Sequence, residues 1–361
     1  MMRRKTRFVC VSDTHGYTPS EAGFKLPAGD VLIHAGDLTN QGSESELRKT
    51  MGWIAAADFE VKIVICGNHD ITLDEPFYTQ HGPKFHNKIP QDPSKCSQIV
   101  TTASPSIVFL KHESALIRLR NPNGPNTIFK VFGSPYSQCD GNWAFLYETR
   151  EAEKLWRQIP LDTDIFVTHM PPHLHCDGIA GASMGCKALR RNLERVRPLL
   201  AVCGHIHESR GFERVCWGEG EGGAEGEGIK DKVTKGILPP QGSKKQSLVD
   251  LTGKRAPRLN NDGFSVSLHT GKDKSSPDAN IAMFPPQSHQ VDQATVFSHP
   301  VPTPSEAQDA NARRLRAQRH ETCIVNAAIM ASNWPHRGGR KFYPGPIVVD
   351  LELPVWTEDS P

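Results

Sequence analysis

The stretch that decides the fold is FVCVSDTH at residues 8–15, a short apolar run that ends in a carboxylate and an imidazole. Apolar runs of this length with polar residues at their ends are typical of buried strands. The same arrangement recurs in VLIHAGD at residues 31–37 and in VKIVICGNHD at residues 61–70. In open α/β sheets, ligands bind at the edge formed by the carboxyl ends of the strands. The repeated pattern therefore predicts strands that carry polar side chains to one functional edge.

The sequence around these stretches indicates a layered α/β domain, because short apolar runs alternate with amphipathic segments from Arg7 to about Trp217. The strand candidates are Phe8–Ser12, Val31–Ala35, Val61–Cys66, Ile107–Leu110, Ala115–Leu119, Thr127–Phe132, Ile165–Thr168 and Leu199–Cys203. Helices are expected over Ser43–Ala57, which begins with capping-box spacing, over residues 152–159, and near Ala188–Val196.

Composition is that of a soluble globular protein, with 361 residues, 37% hydrophobic and 23% charged. The formal net charge of +2 gives no field of the kind that marks a nucleic-acid or membrane-surface binder. Several of the nine cysteines lie in or at the end of apolar runs, so they are expected to be reduced core residues. No stretch approaches the ~20 apolar residues of a membrane span, and no signal peptide is recognised. The cytosol is the expected compartment, and the nucleus is compatible with it.

The composition changes after Trp217, where a Gly/Glu-rich stretch is followed by a segment crowded with Pro, Gly, Ser, Lys and Asp. Such a segment cannot bury enough surface to offset the entropy of ordering it. The expected division of the chain is a main domain at 5–217, a disordered insert at 218–317, a C-terminal strand pair at 318–353 that completes the domain, and a tail at 354–361. Deleting Gly218–Ala317 is expected to leave the fold intact. The insert's role stays open between a flexible linker, a regulatory segment and an error in the gene model.

Short polar motifs stand at or just after the ends of strand candidates. In chain order they are Asp13-Thr14-His15, Gly36-Asp37, Gly67-Asn68-His69-Asp70, His169 and Gly204-His205-Ile206-His207. Taken singly, each has an ordinary explanation as a turn, a cap or a core histidine. Their joint occurrence in this order predicts one cluster of oxygen and imidazole donors.

These motifs resemble the calcineurin-like metallophosphoesterase superfamily. Softer matches resemble its small metallophosphoesterase-domain-containing branch, at residues 131–136, 143–145, 168–172 and 325–327. The resemblance covers about Arg7–Trp217 and Thr322–Leu353 and leaves the insert outside it. The expected fold is a four-layer α/β/β/α sandwich, with two mixed β-sheets face to face and helices outside.

The resemblance also implies roles for individual residues. One divalent metal ion would be held by Asp13, His15 and His207 and the other by Asn68, His169 and His205, with Asp37 bridging both. Imidazole and carboxylate donors together suit Mn, Fe or Zn better than Ca or Mg. His69 is expected to face the scissile phosphate, where it stabilises the transition state or protonates the leaving oxygen. Asp70 is expected to orient His69, or simply to cap the next segment.

Some polar residues near the motifs have weaker claims to function. His173, His175 and Asp177 follow His169 in a loop that could reach the substrate, although a solvated polar loop is an equally good interpretation. Arg190 and Arg191 are expected on a solvated helix face. We therefore leave all of them out of the predicted site.

The implied activity is hydrolysis of a small phosphodiester, such as a nucleotide, by attack of a hydroxide that bridges the two metal ions. Gly36–Asn40 lacks the arginine that protein Ser/Thr phosphatases of the superfamily carry here, which disfavours a phosphoprotein substrate. One alternative is a metal-retaining scaffold that binds nucleotides without useful turnover. Another is a nuclease, which the lack of a basic, aromatic-interleaved tract makes less favoured, so nucleic acid is an unlikely partner. The sequence does not specify an oligomeric state.

Overall fold

A computed structural model describes residues 1–138, 141–218, 231–240, 243, 245–265, 297–299, 314–332 and 339–356. Its strands are β1 (Arg3–Val11), β2 (Val31–Ala35), β3 (Val61–Ile65), β4 (Ile107–Leu110), β5 (Glu113–Arg118), β6 (Ile128–Ser134), β7 (Ser137–Gln138), β8 (Leu146–Tyr147), β9 (Ile165–Thr168), β10 (Gly178–Ile179), β11 (Ala182–Ser183), β12 (Leu200–Cys203), β13 (Gly211–Cys216), β14 (Lys232–Lys235), β15 (Ser247–Asp250), β16 (Phe297–His299), β17 (Glu321–Asn326) and β18 (Ile347–Pro354). The α-helices are α1 (Glu44–Ala56), α2 (Glu75–Phe85), α3 (Pro93–Thr101), α4 (Ala152–Trp156) and α5 (Lys187–Val196).

Two large sheets organise the domain. The six-stranded sheet has the order β15-β18-β1-β2-β3-β4, and the eight-stranded sheet has the order β14-β13-β17-β12-β9-β6-β5-β16. Neighbours from β1 to β4 are parallel, and β18 is antiparallel to β1. In the other sheet β6, β9, β12 and β17 are parallel, whereas β5 and β13 join their neighbours antiparallel. Both sheets are therefore mixed, as predicted.

Alternate residues of β1 explain why its sequence is a continuous apolar run. Phe8 and Cys10 belong to the core between the two sheets, whereas Val9 and Val11 belong to the core beneath the helices. A strand that is buried on both faces cannot alternate apolar with polar residues. The run at the start of the chain thus marks a central strand.

Three apolar layers separate four layers of secondary structure. The layer between the sheets includes Phe8 and Phe129, whose ring centroids are 5.4 Å apart. On the outer face of the six-stranded sheet, Leu47 and Met51 of α1 are buried. On the outer face of the eight-stranded sheet, Trp156, Leu189 and Leu193 of α4 and α5 are buried. The predicted α/β/β/α sandwich is confirmed.

The helices match the sequence predictions unevenly. Helix α1 begins with the capping box of Ser43 and Glu46, within a residue of its predicted start. The predicted helices do not include α2 and α3, which begin after Asp74 and Asp92 with a proline in the first turn. Their apolar stripes are thin, and α2 even contains Pro83, so periodicity gave little signal. None of the helices in the described ranges combines the length and the apolar composition of a membrane crossing.

Part of the predicted insert is folded into the domain, so the expectation that all of 218–317 is disordered is wrong. Strand β15 lies parallel to β18 at the edge of the six-stranded sheet. Leu251, Leu259 and Phe264, which follow it, are buried in the core between the sheets. A composition averaged over a hundred residues hides a short apolar run whose strand partner lies far along the chain. The predictions for 219–230, 266–296 and 300–313 lie outside the described residues.

The C-terminal strands complete the domain, but they do not form the pair that the sequence suggested. Strand β17 lies between β12 and β13 in the eight-stranded sheet, whereas β18 lies between β1 and β15 in the six-stranded sheet. The predicted tail also starts too early, because Pro354 ends β18 and Val355 forms a bridge to Thr127. An apolar run indicates that a strand exists. Which strands it pairs with depends on how the whole core packs.

Candidate metal centre

The predicted ligands lie just beyond the carboxyl ends of parallel strands from both sheets. Asp13 and His15 follow β1, Asp37 follows β2, Asn68 follows β3, His169 follows β9, and His205 and His207 follow β12. The two sheets meet at this end, where Ser12, the residue after β1, bridges to Ala328 beyond β17. Side chains that are far apart in sequence therefore converge on one cleft.

The first group of donors consists of Asp13, His15 and His207. His207 Nε2 lies 3.3 Å from Asp13 Oδ1 and 3.3 Å from His15 Nε2. On the other side of the ring, His207 Nδ1 lies 3.1 Å from the carbonyl oxygen of Ser332. Because a carbonyl oxygen only accepts, Nδ1 carries a proton and the lone pair of neutral His207 is on Nε2, which faces the group.

The second group consists of Asn68, His169 and His205. His169 Nε2 lies 3.0 Å from Asn68 Oδ1 and 3.3 Å from His205 Nδ1. Its Nδ1 donates to the carbonyl oxygen of Ala35 at 2.9 Å. As in the first group, a backbone carbonyl directs the lone pair of neutral imidazole inward.

Asp37 lies between the two groups. Its Oδ1 is 3.3 Å from His169 Nε2, and its Oδ2 is 3.6 Å from His15 Nε2. The backbone N–H of His69 also donates to Oδ1 at 2.9 Å. The two oxygens of one carboxylate thus face both donor groups, which is the placement that a bridging ligand needs.

The donor set fits divalent cations. Two ring nitrogens that face each other at 3.3 Å can share a proton, and a cation bound between them would replace that proton. Donors bound about 2.0–2.2 Å from one ion are about 3.0–3.6 Å apart, which is the spacing seen within the groups. Carboxylate, amide and imidazole together suit borderline first-row cations. The residues present could therefore hold metal ions in both groups.

Burial and charge set the protonation of the donors. Burial raises the pKa of Asp13, but the hydrogen bond and charge of His207 outweigh it and lower the pKa to about 2. Burial is outweighed in the same way at Asp37, where neighbouring imidazoles hold the pKa well below its usual range. Burial lowers the pKa of His15 and His205 to about 3. At His169 and His207 burial is outweighed by the carboxylates, since Asp37 raises the pKa of His169 to about 9 and Asp13 raises that of His207. Metal binds ionised carboxylates and neutral imidazoles, so a cation would take the place of the protons on His169 and His207.

The backbone is strained at these positions. Asp13, His15, Asp37 and His205 have φ angles of 55°, 45°, 52° and 66°, in the left-handed region that residues other than glycine rarely adopt. Such residues cost about 1–3 kcal/mol each and persist where the surrounding structure forces them. Finding four of them among the predicted ligands supports a functional rather than a merely structural cluster.

His69 lies beside the donor groups, with one ring nitrogen within 4.8 Å of donor atoms of His15 and Asp37. Its Nδ1 is 2.8 Å from the carbonyl oxygen of Asn40. The indole of Trp143 packs against its ring with centroids 4.0 Å apart and planes 31° apart. The imidazole is thus held by one hydrogen bond and one packed face.

The expectation that Asp70 orients the His69 ring is wrong. The Asp70 carboxylate accepts from the N–H of Gly67 at 2.8 Å, of Leu38 at 3.2 Å and of Thr39 at 2.9 Å. The Thr39 hydroxyl also donates to it, at 2.7 Å. Asp70 therefore joins the loops after β2 and β3, and the partner of the His69 ring is a backbone carbonyl that sequence cannot identify.

The loop after His169 is tied to the rest of the domain. His175 is buried, with Nδ1 3.0 Å from Glu213 Oε2 and with Nε2 accepting from Arg190 Nε at 2.9 Å. Asp177 is also buried and accepts from the N–H of Gly185 at 2.7 Å. Of the two interpretations of this loop, the solvated one is wrong for His175 and Asp177. The prediction that Arg190 is solvated is also wrong, because its side chain is only 16% exposed. For Arg191, whose side chain is 62% exposed, it is confirmed.

Asn326 was noted in the sequence only as a softer family match, and its supporting role was missed. Its side-chain amide donates to the carbonyl oxygens of Ile206 at 2.9 Å and Cys176 at 3.1 Å, and its Oδ1 accepts from the N–H of Ala328 at 3.2 Å. These bonds fix the turn that carries His205 and His207. The sequence offers one indication of this role, because Asn326 is a polar residue at the end of an apolar run, as the predicted ligands are.

A cavity of about 300 Å³ opens beside His15. The other residues that line it are Gly16, Tyr17, Asn40, Ser45, Glu46 and Lys49. Because His15 belongs to one donor group, a ligand bound at the cluster can extend a substituent into this space.

Known proteins resemble part of the chain. A model of the calcineurin-like phosphoesterase family matches residues 6–209. Human Metallophosphoesterase domain-containing protein 1 is 35% identical over 218 residues, which cover 57% of this chain and 62% of that protein. Probable rhamnogalacturonate lyase C of Emericella nidulans is 42% identical over 223 residues, which cover 60% of this chain but 19% of that protein.

More distant similarity extends to a worm protein and a solved structure. The UPF0046 protein T07D4.2 of Caenorhabditis elegans is 33% identical over 208 residues, 57% of this chain and 52% of that protein. TT1561 of Thermus thermophilus is 12% identical with a TM-score of 0.38, covering 56% of this chain and 82% of that one. The chain spans less than two thirds of the length of these three curated relatives. Since the family model accounts for more than half of the chain, this protein belongs to the calcineurin-like phosphoesterase family.

Proposed function

We propose that the chain is a metal-dependent phosphoester hydrolase that uses two divalent cations, Mn, Fe or Zn, and that its substrate is a small phosphodiester such as a nucleotide. The observation that carries the proposal is the position of Asp37, whose two carboxylate oxygens face two separate groups of buried donors. Membership of the phosphoesterase family supports the class of reaction.

Bound cations would activate water and neutralise the phosphoryl oxygens. The residues of the chain supply the rest. Asp13 and Asp37 bring the negative charge that retains cations. His69 donates from Nε2–H to the leaving oxygen, so that this N–H bond breaks as the new O–H bond forms. The Nδ1–H group of His69 keeps its hydrogen bond to the Asn40 carbonyl oxygen throughout. When His69 has given up the proton on Nε2, the neutral ring is left as the Nδ1–H tautomer, which this hydrogen bond stabilises.

The cavity beside His15 supports a diester over a monoester. A phosphodiester has a second organic substituent on phosphorus, and the space of about 300 Å³ can receive it. The loop from Gly36 to Asn40 has no arginine to grip the extra charge of a monoester. Both features favour a substrate with one negative charge and two substituents.

Cysteine chemistry supports a reducing compartment. The eight cysteines of the described ranges are all free, and all except Cys216 are buried. Disulfides are rare where thiols are kept reduced. We therefore place the protein in the cytosol, with the nucleus compatible.

The test uses protein stripped of metal and reloaded with Mn²⁺. Hydrolysis of bis(4-nitrophenyl) phosphate should exceed that of 4-nitrophenyl phosphate, and elemental analysis should find two ions per chain. Asp37→Asn should lower kcat at least ~100-fold because it removes charge from both donor groups. Asp162→Asn, which removes a carboxylate paired with Lys130 away from the donor groups, should leave the rate unchanged.

Equal rates for the wild type and Asp37→Asn would remove the assignment. Faster hydrolysis of the monoester would overturn the diester preference. Nucleotide binding with no turnover under any divalent metal would instead favour a metal-retaining scaffold.

A further inference from the structure

We propose that Glu46, in the first turn of α1, is a positioning residue that orients His69 through Asn40. The inference rests on the proposed function, because it assumes that His69 works on a phosphoester. The three residues are linked by hydrogen bonds, and Asn40 and Glu46 also line the cavity beside His15.

The carboxylate of Glu46 does more than cap its helix. Its Oε2 accepts from the N–H of Ser43 at 3.1 Å, which completes the capping box, and also from the Ser43 hydroxyl at 2.8 Å. Its Oε1 accepts from the N–H of Asn40 at 3.0 Å. This last bond is not needed by the helix, and it connects α1 to the loop that carries Asp37.

Asn40 is fixed at three points. Glu46 holds its N–H, its side-chain amide donates to the carbonyl oxygen of His15 at 2.9 Å, and its own carbonyl oxygen is 2.8 Å from His69 Nδ1. Bonds at both ends of the residue set the direction of its carbonyl group. That carbonyl in turn decides which nitrogen of His69 carries the proton in the neutral ring.

The tautomer matters for proton delivery. With Nδ1–H held by Asn40, the added proton of the imidazolium is on Nε2, from which it can pass to the leaving oxygen. The N–H bond breaks, the O–H bond forms, and the electron pair of the P–O bond stays on the leaving oxygen. If the Asn40 carbonyl turns away, the ring loses this bias, while Trp143 still covers its face at 4.0 Å. The rate of proton transfer should then fall more than the affinity for substrate.

The experiment compares two aryl diesters with the metal-loaded enzyme. 4-Nitrophenoxide can leave as the anion, whereas phenoxide must be protonated as it leaves. Impaired proton donation therefore slows hydrolysis of the phenyl ester selectively. Glu46→Ala should lower kcat for the phenyl ester about tenfold more than for the nitrophenyl ester, with little change in KM. Glu46→Gln, which keeps an acceptor for the Asn40 N–H, should restore most of the difference.

Ser43→Ala is the control for the loss of the cap. It removes the hydroxyl on Glu46 Oε2 but keeps the backbone N–H of residue 43 on that oxygen, and it leaves Glu46 Oε1 bonded to the Asn40 N–H. It should lower both rates equally or not at all. Equal slowing of both esters by Glu46→Ala, or the same selectivity in Ser43→Ala, would overturn the proposal.

A readout that does not depend on turnover separates this proposal from the proposed function. The ¹⁵N shifts of the His69 ring report which nitrogen is protonated. The wild type should show Nδ1–H, and Glu46→Ala should show a mixture of tautomers, whereas Ser43→Ala should match the wild type. Unchanged ring shifts in Glu46→Ala would refute the positioning role even in an active enzyme. An inactive wild type with the expected shifts would refute only the phosphoesterase assignment.

Discussion

The Nδ1 atom of His69 lies 2.8 Å from the backbone carbonyl oxygen of Asn40, although the carboxylate of Asp70 is next to it in sequence. Asp70 instead accepts hydrogen bonds from residues 38, 39 and 67. His69 and Asp70 therefore have different roles, although they are adjacent in sequence. The ring of His69 faces the donor groups, and the carboxylate of Asp70 holds together the loops that carry those groups.

Replacing Asp70 should cost stability without changing the dependence on the leaving group. In Asp70→Asn, one acceptor oxygen becomes an NH₂ group that faces backbone N–H donors, and each bond lost in this buried place costs about 1–3 kcal/mol. Urea unfolding should therefore show a loss of about that size. Asp162→Asn, which breaks a partly exposed ion pair with Lys130, should cost about 1 kcal/mol or less. A selective loss of phenyl ester hydrolysis in Asp70→Asn would show that Asp70 does act on His69.

Adding one methyl group at Gly67 should disrupt the metal centre. A Cβ there would overlap the Oδ1 and backbone nitrogen of Asp37 and would lie 2.7 Å from His169 Cε1, so both residues must shift. We expect Gly67→Ala to weaken metal binding at least about tenfold, measured by titration calorimetry with Mn²⁺, because ligand positions set affinity.

Gly52→Ala is the control for that substitution, because Gly52 lies in α1 and a Cβ there would meet nothing within 4 Å. It should raise stability by up to about 1 kcal/mol through helix propensity and leave metal binding unchanged. Wild-type affinity in Gly67→Ala would mean that Asp37 is not held where the structure has it.

Deleting residues 218–317 should abolish cooperative unfolding, contrary to the expectation from composition. The deletion removes β15 and the buried residues Leu251, Leu259 and Phe264, and it leaves β18 without one of its neighbours. Each large apolar side chain lost from a core costs about 2–5 kcal/mol, and three such losses are together as large as the whole stability of a typical domain.

A shorter deletion of 268–295 spares these residues and β16, and it should keep a single sharp transition in differential scanning calorimetry. If the long deletion melted as cooperatively as the wild type, β15 would not be part of the stable domain.

The local features of the fold could be predicted because each rests on neighbouring residues. The alternation of buried faces along β1 requires a continuous apolar run, and the run is visible in the sequence. The capping box of Ser43 and Glu46 fixes the start of α1 within one turn of chain. Where the local pattern is weak, as in α2 with its internal Pro83, no helix was predicted.

The partners of strands and side chains could not be predicted, since they depend on how the whole chain closes. Strands β17 and β18 are both short, largely apolar runs in the sequence, but they join different sheets. Arg190 looks like a surface residue on its helix, yet it donates to the buried His175 of a neighbouring loop. Spacing along the chain carries no information about such contacts.

The sequence by itself determined the identity of the donors and their place after strands, because an apolar run that ends in Asp, Asn or His is a local pattern. Only the tertiary structure decided that Asp37 faces both donor groups, that Asn40 holds His69, and that the segment from Ser247 to Ser265 belongs to the domain. The physical reason is that hydrogen bonds and core contacts form between surfaces brought together by folding. Their geometry is fixed by the packing of two sheets and not by the order of residues along either one.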